Sequence, residues 1–244
     1  SVCIPVLNEE NNIINTSNKV IDFFEKKLSD YNYEIIFTDN NSYDGSWNII
    51  NNLAKNNSKI KGIRFKKNIG YNESIFINYL LSQGDAAIQL DCDLQDPIDL
   101  FPKMLENFSK GYDVVYGIRK SRKEFFLINV LRRIYYRFLN FIAEEENHND
   151  VGDFQLLSRK VIHYLSLHNS RPIYLRGLLS NSAFKSIGIP YNRDARCFDK
   201  SKFNFFSLVK FAIDGIASQS LRLLDLANYL AFIFFSLSIA SLVL

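Results

Sequence analysis

Three carboxylates fall within six residues in Asp91-Cys92-Asp93-Leu94-Gln95-Asp96, and Pro97 follows at once. They close an apolar run, Ala86 to Leu90, that begins just after Gly84. A short apolar run between a glycine and a proline reads as a buried strand of a parallel sheet. Ligands of open α/β sheets bind beyond the carboxyl ends of the strands, where these acids stand. Alternation along an extended chain puts Asp91 and Asp93 on one side and Cys92 on the other. Adjacent carboxylates repel, and a cation between them is the simplest resolution. Hard oxygen ligands suit Mg²⁺ or Mn²⁺, ions that bridge a few carboxylates to substrate phosphates. Asp91 and Asp93 are the ligands expected. A bare Asp-x-Asp is more often a solvated acidic loop; the longer string ending in Pro97 is more specific. Pro97 suits the first turn of a helix, where its missing N–H costs nothing.

The opposite charge gathers between Gly117 and Phe138, where seven lysines and arginines stand among aromatic and aliphatic residues and only Glu124 opposes them. Arg133 and Arg137 are four residues apart and share a helix face. A basic amphipathic helix of this kind is a solvated surface helix, a nucleic-acid groove, or a place where a phosphate is captured at a bilayer surface. Arginine suits the last role because its planar fork meets phosphate oxygens in pairs.

These residues need a scaffold. Strands are expected at Val2–Leu7, Glu34–Thr38, Ile60–Phe65, Ala86–Leu90, Asp113–Tyr116 and Phe184–Tyr191, with a further strand carrying Asp153. Helices are expected at about Asn11–Leu28, Ser46–Lys55, Asn72–Leu81, Ile98–Ser109 and Arg159–Leu167. Strand–helix alternation of this sort predicts an α/β domain with a mostly parallel sheet between two helical layers. The turn after the first strand, Asn8-Glu9-Glu10, has no glycine, so the dinucleotide fingerprint is absent and a nicotinamide dehydrogenase is disfavoured. Asp39, at the end of the second strand, is placed to accept an N–H from a uracil or guanine edge.

The 244 residues carry a net charge of +3, too little to argue for nucleic acid. Three cysteines, Cys3, Cys92 and Cys197, show neither zinc spacing nor a disulfide framework. His148, in an acidic polar loop, is a poor metal ligand. From Leu226 to Leu244 no residue is charged. That run approaches the roughly 20 apolar residues that span a bilayer, so a membrane helix is expected at 225–244.

At the Asp91–Pro97 string the chain resembles glycosyltransferase family 2, most nearly the polyprenyl-phosphate transferases of the dolichol-phosphate-mannose-synthase-like group. The resemblance runs through Pro5-Val6-Leu7-Asn8-Glu9, Asp39–Ser46, Lys67-Asn68-Ile69-Gly70, Gly152-Asp153-Phe154-Gln155-Leu156 and Arg193-x-x-Arg196…Ser201-Lys202-Phe203. It implies a GT-A-type domain over 1–203, with the basic helix at 118–142 inserted. A juxtamembrane amphipathic helix at 204–224 and the membrane helix would follow. It implies inverting transfer from a nucleotide-sugar to a polyprenyl phosphate such as undecaprenyl phosphate, with Mg²⁺ or Mn²⁺, at a bacterial cytoplasmic membrane and on its cytoplasmic side. Homo-oligomers are possible, and nucleic acid is not expected. The donor would be bound by Pro5, Asn8, Glu9, Asp39, Asn68, Asp91, Gln95, Arg193 and Lys202. Asp93, Asp96 and Asp153 would serve catalysis, and Asp91, Asp93 and Gln95 would hold the metal. Arg119, with one of Arg132, Arg133 and Arg137, would hold the acceptor phosphate. The family usually has two further residues, Asp and Gly, where this chain has Asn40 and Asn41, which bears on the base; uridine is favoured. Two other readings are a family 2 transferase with a glycan or protein acceptor and a non-catalytic membrane-anchored nucleotide-sugar-binding protein. Processive synthases carry Gln-x-x-Arg-Trp, and the only tryptophan here is Trp47.

Overall fold

The computed structural model describes residues 1–119, 151–167 and 183–193, with Leu175 and Leu179. The chain divides into two units, Ser1–Arg122 with Asp150–Lys200, and Lys123–Asn149 with Ser201–Leu244; all described residues belong to the first.

The elements run β1 (Val2–Val6), α1 (Ile13–Lys27), β2 (Ile35–Asp39), α2 (Ser46–Asn56), β3 (Ile60–Arg64), α3 (Tyr71–Leu81), β4 (Ala86–Gln89), α4 (Phe101–Ser109), β5 (Val114–Arg119), β6 (Val151–Ser158), α5 (Arg159–Ser166) and β7 (Ser186–Tyr191). The sheet order is β3-β2-β1-β4-β6-β5-β7. The sheet is mostly parallel, as expected: β6 runs antiparallel to both β4 and β5, and the other pairs are parallel. β6 carries its own acid, Asp153, whose charge is felt at Asp91.

The apolar runs are continuous because both faces of the sheet are covered. Val2, Ile4 and Val6 of β1 pack with Val20 and Phe24 of α1, Ile50 of α2 and Phe101 and Met104 of α4. On the other face Cys3, Ala87, Val114 and Leu157 pack with Ile75 and Tyr79 of α3 and Val161 and Leu165 of α5. The cysteines at 3 and 92 are buried free thiols that pack as small hydrophobes.

Chain order places β2 and β3 on one side of β1 and β4 on the other, so the strand order reverses between β1 and β4. Such a switch point opens a crevice at the carboxyl ends of its strands. Pro5 sharpens it. The Leu90 N–H bonds the Cys3 carbonyl at 2.9 Å. The next rung of a parallel ladder would run from residue 5 to the Leu90 carbonyl, but proline has no N–H to give. The β1–β4 ladder stops at Cys3 and Gln89. Hence β4 is shorter than expected, and the acids leave the sheet as a turn. Pro97 opens a 3₁₀ turn, Ile98–Leu100, rather than an α-helix; Pro102 stands in the first turn of α4.

Glu34, just before β2, accepts from Ser1 Oγ (2.6 Å) and from the Gln83 N–H (2.7 Å), and pairs with Lys61 Nζ (2.7 Å). Burial pushes its carboxyl up, but Lys61 and these donors outweigh that and hold it at about 2 against the usual 4.5. A depressed folded value stabilises above pH 4.5 and fades as pH falls towards 2. Glu34→Gln is therefore expected to cost about 2 kcal/mol at pH 7 and almost nothing near pH 2, read by urea unfolding across that range.

Candidate active site

The turn after β4 is fixed from beneath by apolar residues. Cys92 and Leu94 are buried in the core, and Thr16 Oγ1 donates to the Cys92 carbonyl at 2.6 Å. Leu94 sits at φ 54°, a left-handed conformation that costs a side chain of this size about 1 kcal/mol. Asp93 Oδ1 accepts the Gln95 N–H at 3.2 Å, closing the turn on itself. Cys92 is turned into the core, and Asp91, Asp93 and Asp96 follow the end of β4, next to the switch point.

Two donors hold one oxygen of Asp91: Tyr71 Oη at 2.7 Å, from the first residue of α3, and Gln89 Nε2 at 2.9 Å, from the end of β4. Its other oxygen accepts from Arg193 Nη2 at 3.3 Å. Burial pushes the Asp91 carboxyl up to about 6; Asp96, Asp93 and Asp153 push the same way, and the Tyr71 bond pulls back. Asp96 is 1% exposed. Its Oδ1 accepts from Tyr191 Oη at 2.5 Å and lies 3.4 Å from Arg193 Nε and 3.9 Å from Arg119 Nη2. Its Oδ2 is buried with no hydrogen-bond partner. Arg119 Nε donates to Tyr191 Oη at 3.1 Å.

The Asp91 carboxylate, whose ionisation Asp96, Asp93 and Asp153 oppose, and the unused buried oxygen of Asp96 fit a divalent cation in chemistry. The Arg193 guanidinium, bridging Asp91 and Asp96, is itself a cation at that place. Among the described residues no three acids stand together as a preformed chelate, so a metal would draw further ligands from a bound phosphate or water.

The loops after β1 and β2 are tied to each other. Asn8, at φ 56°, donates its N–H to Ser42 Oγ (2.8 Å), and its Oδ1 accepts the Tyr43 N–H (3.0 Å). The Glu9 N–H donates to Ser46 Oγ (2.8 Å), and Glu9 Oε2 accepts from Asn12 Nδ2 (2.6 Å). Pro5 lies buried within β1. Asp39 is fully buried: its Oδ1 accepts the Ser42 N–H at 3.1 Å, and its Oδ2 stands 3.2 Å from Arg64 Nε without an aligned hydrogen bond. Gln95 and Asp153 are half-buried, and Asn68 is exposed. Lys202, Arg132, Arg133 and Arg137 lie outside the described residues, as do Cys197, His148 and the segment 225–244. Among the described residues no helix is long and apolar enough to cross a membrane.

Sequence reasoning missed Tyr71, Tyr191, Gln89 and Arg64. Gln89, two residues ahead of Asp91, was the one legible from spacing. Asn40 ties the loop after β2 to the loop after β3. Its Nδ2 donates to Asn68 Oδ1 (2.9 Å) and the Gly70 carbonyl (3.1 Å), and its Oδ1 accepts the Ile69 N–H (2.8 Å). An aspartate there has nothing to donate. Asn40→Asp should cost about 2 kcal/mol and loosen the 66–70 loop. Faster tryptic cleavage after Lys66 and Lys67 is the readout, and unchanged cleavage would refute the clamp.

Residues 1–165 match the sequence profile described as glycosyl transferase family 2. The chain is 33% identical over 230 residues to the Bacillus subtilis glycosyltransferase YkcC, covering 94% of this chain and 71% of that one. It is 33% identical over 239 residues to the bactoprenol glucosyl transferase of Shigella phage SfX, covering 98% and 78%. Among solved structures, glucosyl-3-phosphoglycerate synthase from Mycobacterium tuberculosis, crystallised with Mn²⁺, uridine diphosphate and phosphoglyceric acid, superposes with a TM-score of 0.58. That likeness covers 88% of this chain and 75% of the other at 18% identity, and it shows the GT-A-like fold.

Proposed function

The chain belongs to glycosyl transferase family 2, and on that premise we propose that it moves a sugar, with inversion, from a nucleotide-sugar to a polyprenyl phosphate at a membrane. The observation that carries this is the convergence of two guanidiniums, Arg119 and Arg193, on the acid turn at the switch point of the sheet. A donor diphosphate and an acceptor phosphate are the anions such a pair suits. The relative named bactoprenol glucosyl transferase supports the lipid acceptor.

An acceptor phosphate is already an anion, so the site has little proton to remove; its work is positioning and charge stabilisation. Asp39, with Asn8, Glu9 and Asn68 beside it, lies at the base and ribose. Gln95, Asp96 and Asp153 line the sugar side, and Arg193 meets the diphosphate. Arg119 holds the attacking phosphate. Mg²⁺ or Mn²⁺, held by Asp91 and Asp93 with Gln95 beside them, would offset the charge that builds on the departing nucleotide diphosphate. Uridine is the favoured base, and 225–244 is the membrane anchor.

The test supplies membranes containing the protein with Mn²⁺, undecaprenyl phosphate and a panel of labelled UDP- and GDP-sugars, UDP-glucose first. A glycolipid formed by the native chain and lost in Asp93→Asn is the expected result. Donor binding without lipid product would move the acceptor to another glycan or a protein. Failure to bind any donor would sink the transferase assignment.

A further inference from the structure

We propose that Tyr191 is a positioning residue: its hydroxyl sets the Arg119 guanidinium as an anion-receiving edge and keeps it from collapsing onto Asp96. This rests on the reading of Arg119 as the acceptor-phosphate residue.

The three side chains form a directed chain. A guanidinium only donates and an ionised carboxylate only accepts, so the hydroxyl between them must do both. Arg119 Nε donates to Tyr191 Oη at 3.1 Å, and Tyr191 Oη donates to Asp96 Oδ1 at 2.5 Å. Each bond polarises the next. Arg119 Nη2 stops 3.9 Å short of the same carboxylate oxygen, outside a direct hydrogen bond. With Nε occupied by the hydroxyl, the terminal nitrogens stay available to a phosphate.

The chain sits in a built socket. Tyr191 is the last residue of β7 and pairs across the ladder with Arg119, the last residue of β5. Its ring is 4% exposed and stands edge-on to Phe154, centroids 5.6 Å apart. A Cβ at Gly117 would come within 2.6 Å of that ring. A Cβ at Gly152 would come within 3.0 Å of Arg119 Nη2 and 3.2 Å of its central carbon. Two strand glycines therefore leave the room that the tyrosine ring and the guanidinium fill. Neither glycine has a positive φ, so alanine is conformationally allowed at both and the effect of adding one is steric. Burial, then the charge of Asp96, holds the phenol well above its usual value, so it stays protonated and remains a donor to Asp96.

Without the hydroxyl, Arg119 loses its Nε acceptor, and the nearest replacement is Asp96. A direct pair would spend the edge that the phosphate needs and leave the donor side unchanged. The test uses the full chain in detergent and compares native protein with Tyr191→Phe and Gly152→Ala. Calorimetry reads binding of farnesyl phosphate, and steady-state transfer reads KM for donor and acceptor separately. Both variants are expected to bind farnesyl phosphate at least about 10-fold more weakly. Donor KM is expected to stay within about twofold and the melting temperature close to native. A purely structural role would move both KM values and the melting temperature together, and would overturn the proposal. So would native-like farnesyl phosphate binding in either folded variant; Gly152→Ala decides the matter if Tyr191→Phe does not fold. A native protein that binds farnesyl phosphate yet glycosylates no polyprenyl phosphate overturns the functional reading alone, because the binding comparison still decides the part played by Tyr191.

Discussion

Asp96→Asn should lower transfer by about 10²–10³-fold and destabilise the fold by about 3 kcal/mol. Both effects have one origin. Asp96 is almost fully buried and is the common partner of Tyr191, Arg193 and Arg119. An asparagine fits the same space and can still accept from Tyr191. It carries no charge, however, and its amide donors face two guanidiniums that also donate. The variant leaves positive charge uncompensated in a place with little water, which is far costlier than losing a surface ion pair. Urea unfolding at pH 7.5 with EDTA present reads the stability, and the glycolipid assay reads the rate. Native-like stability would mean that the arginines find other partners and that Asp96 is not the hub of the cluster.

Asp91→Asn should also abolish transfer, by about 10³-fold, but with stability moving the other way. Asp91 is pushed up to about 6 by burial, by Asp96 and by its other acidic neighbours, so its charge is a burden on the apo fold. A folded value above the usual 3.8 means that the native state holds the proton more tightly than the unfolded chain. The penalty is absent below about pH 3.8, grows as pH rises through about 6, and is complete above it. Removing the charge should raise stability by about 1–2 kcal/mol at pH 7.5 in EDTA, after allowing for the 22% of the side chain that water still reaches and for the lost pairing with Arg193. The gain should vanish near pH 4. A variant that is less stable at pH 7.5 would show that the Tyr71, Gln89 and Arg193 contacts outweigh the crowding.

The parts of this site legible in the sequence are those encoded over short distances. The strand, its abrupt end and the three acids lie within a dozen residues, and periodicity and residue type suffice to read them. The α/β class follows from strand–helix alternation in the same way. What stayed hidden depends on chain closure. Tyr71 is 20 residues from Asp91, and Tyr191 is 95 from Asp96; nothing local marks either tyrosine as a partner of an acid. The antiparallel course of β6 is another such property, because a strand's direction is set by what it pairs with. Asn40 likewise has partners that nothing local marks. Its neutrality bears on the choice of base, and its amide also meets groups at 68–70 that only a donor and acceptor in one side chain can satisfy.

Pro5 has a consequence for how the molecule breathes. A ladder rung that was never made does not have to open. Amide exchange at Ile88 and Leu90, inside the β1–β4 seam, should be among the slowest in the chain, because it waits on sub-global opening. Beyond the proline the two strands are unzipped in the ground state. Amides from Asp91 to Asp96 should exchange through small local fluctuations that leave the seam closed. The acid turn can then adjust around a ligand much larger than an ion without transmitting that motion to the sheet. Pro5→Ala, by supplying the missing donor, would slow that adjustment and stiffen the mouth of the crevice.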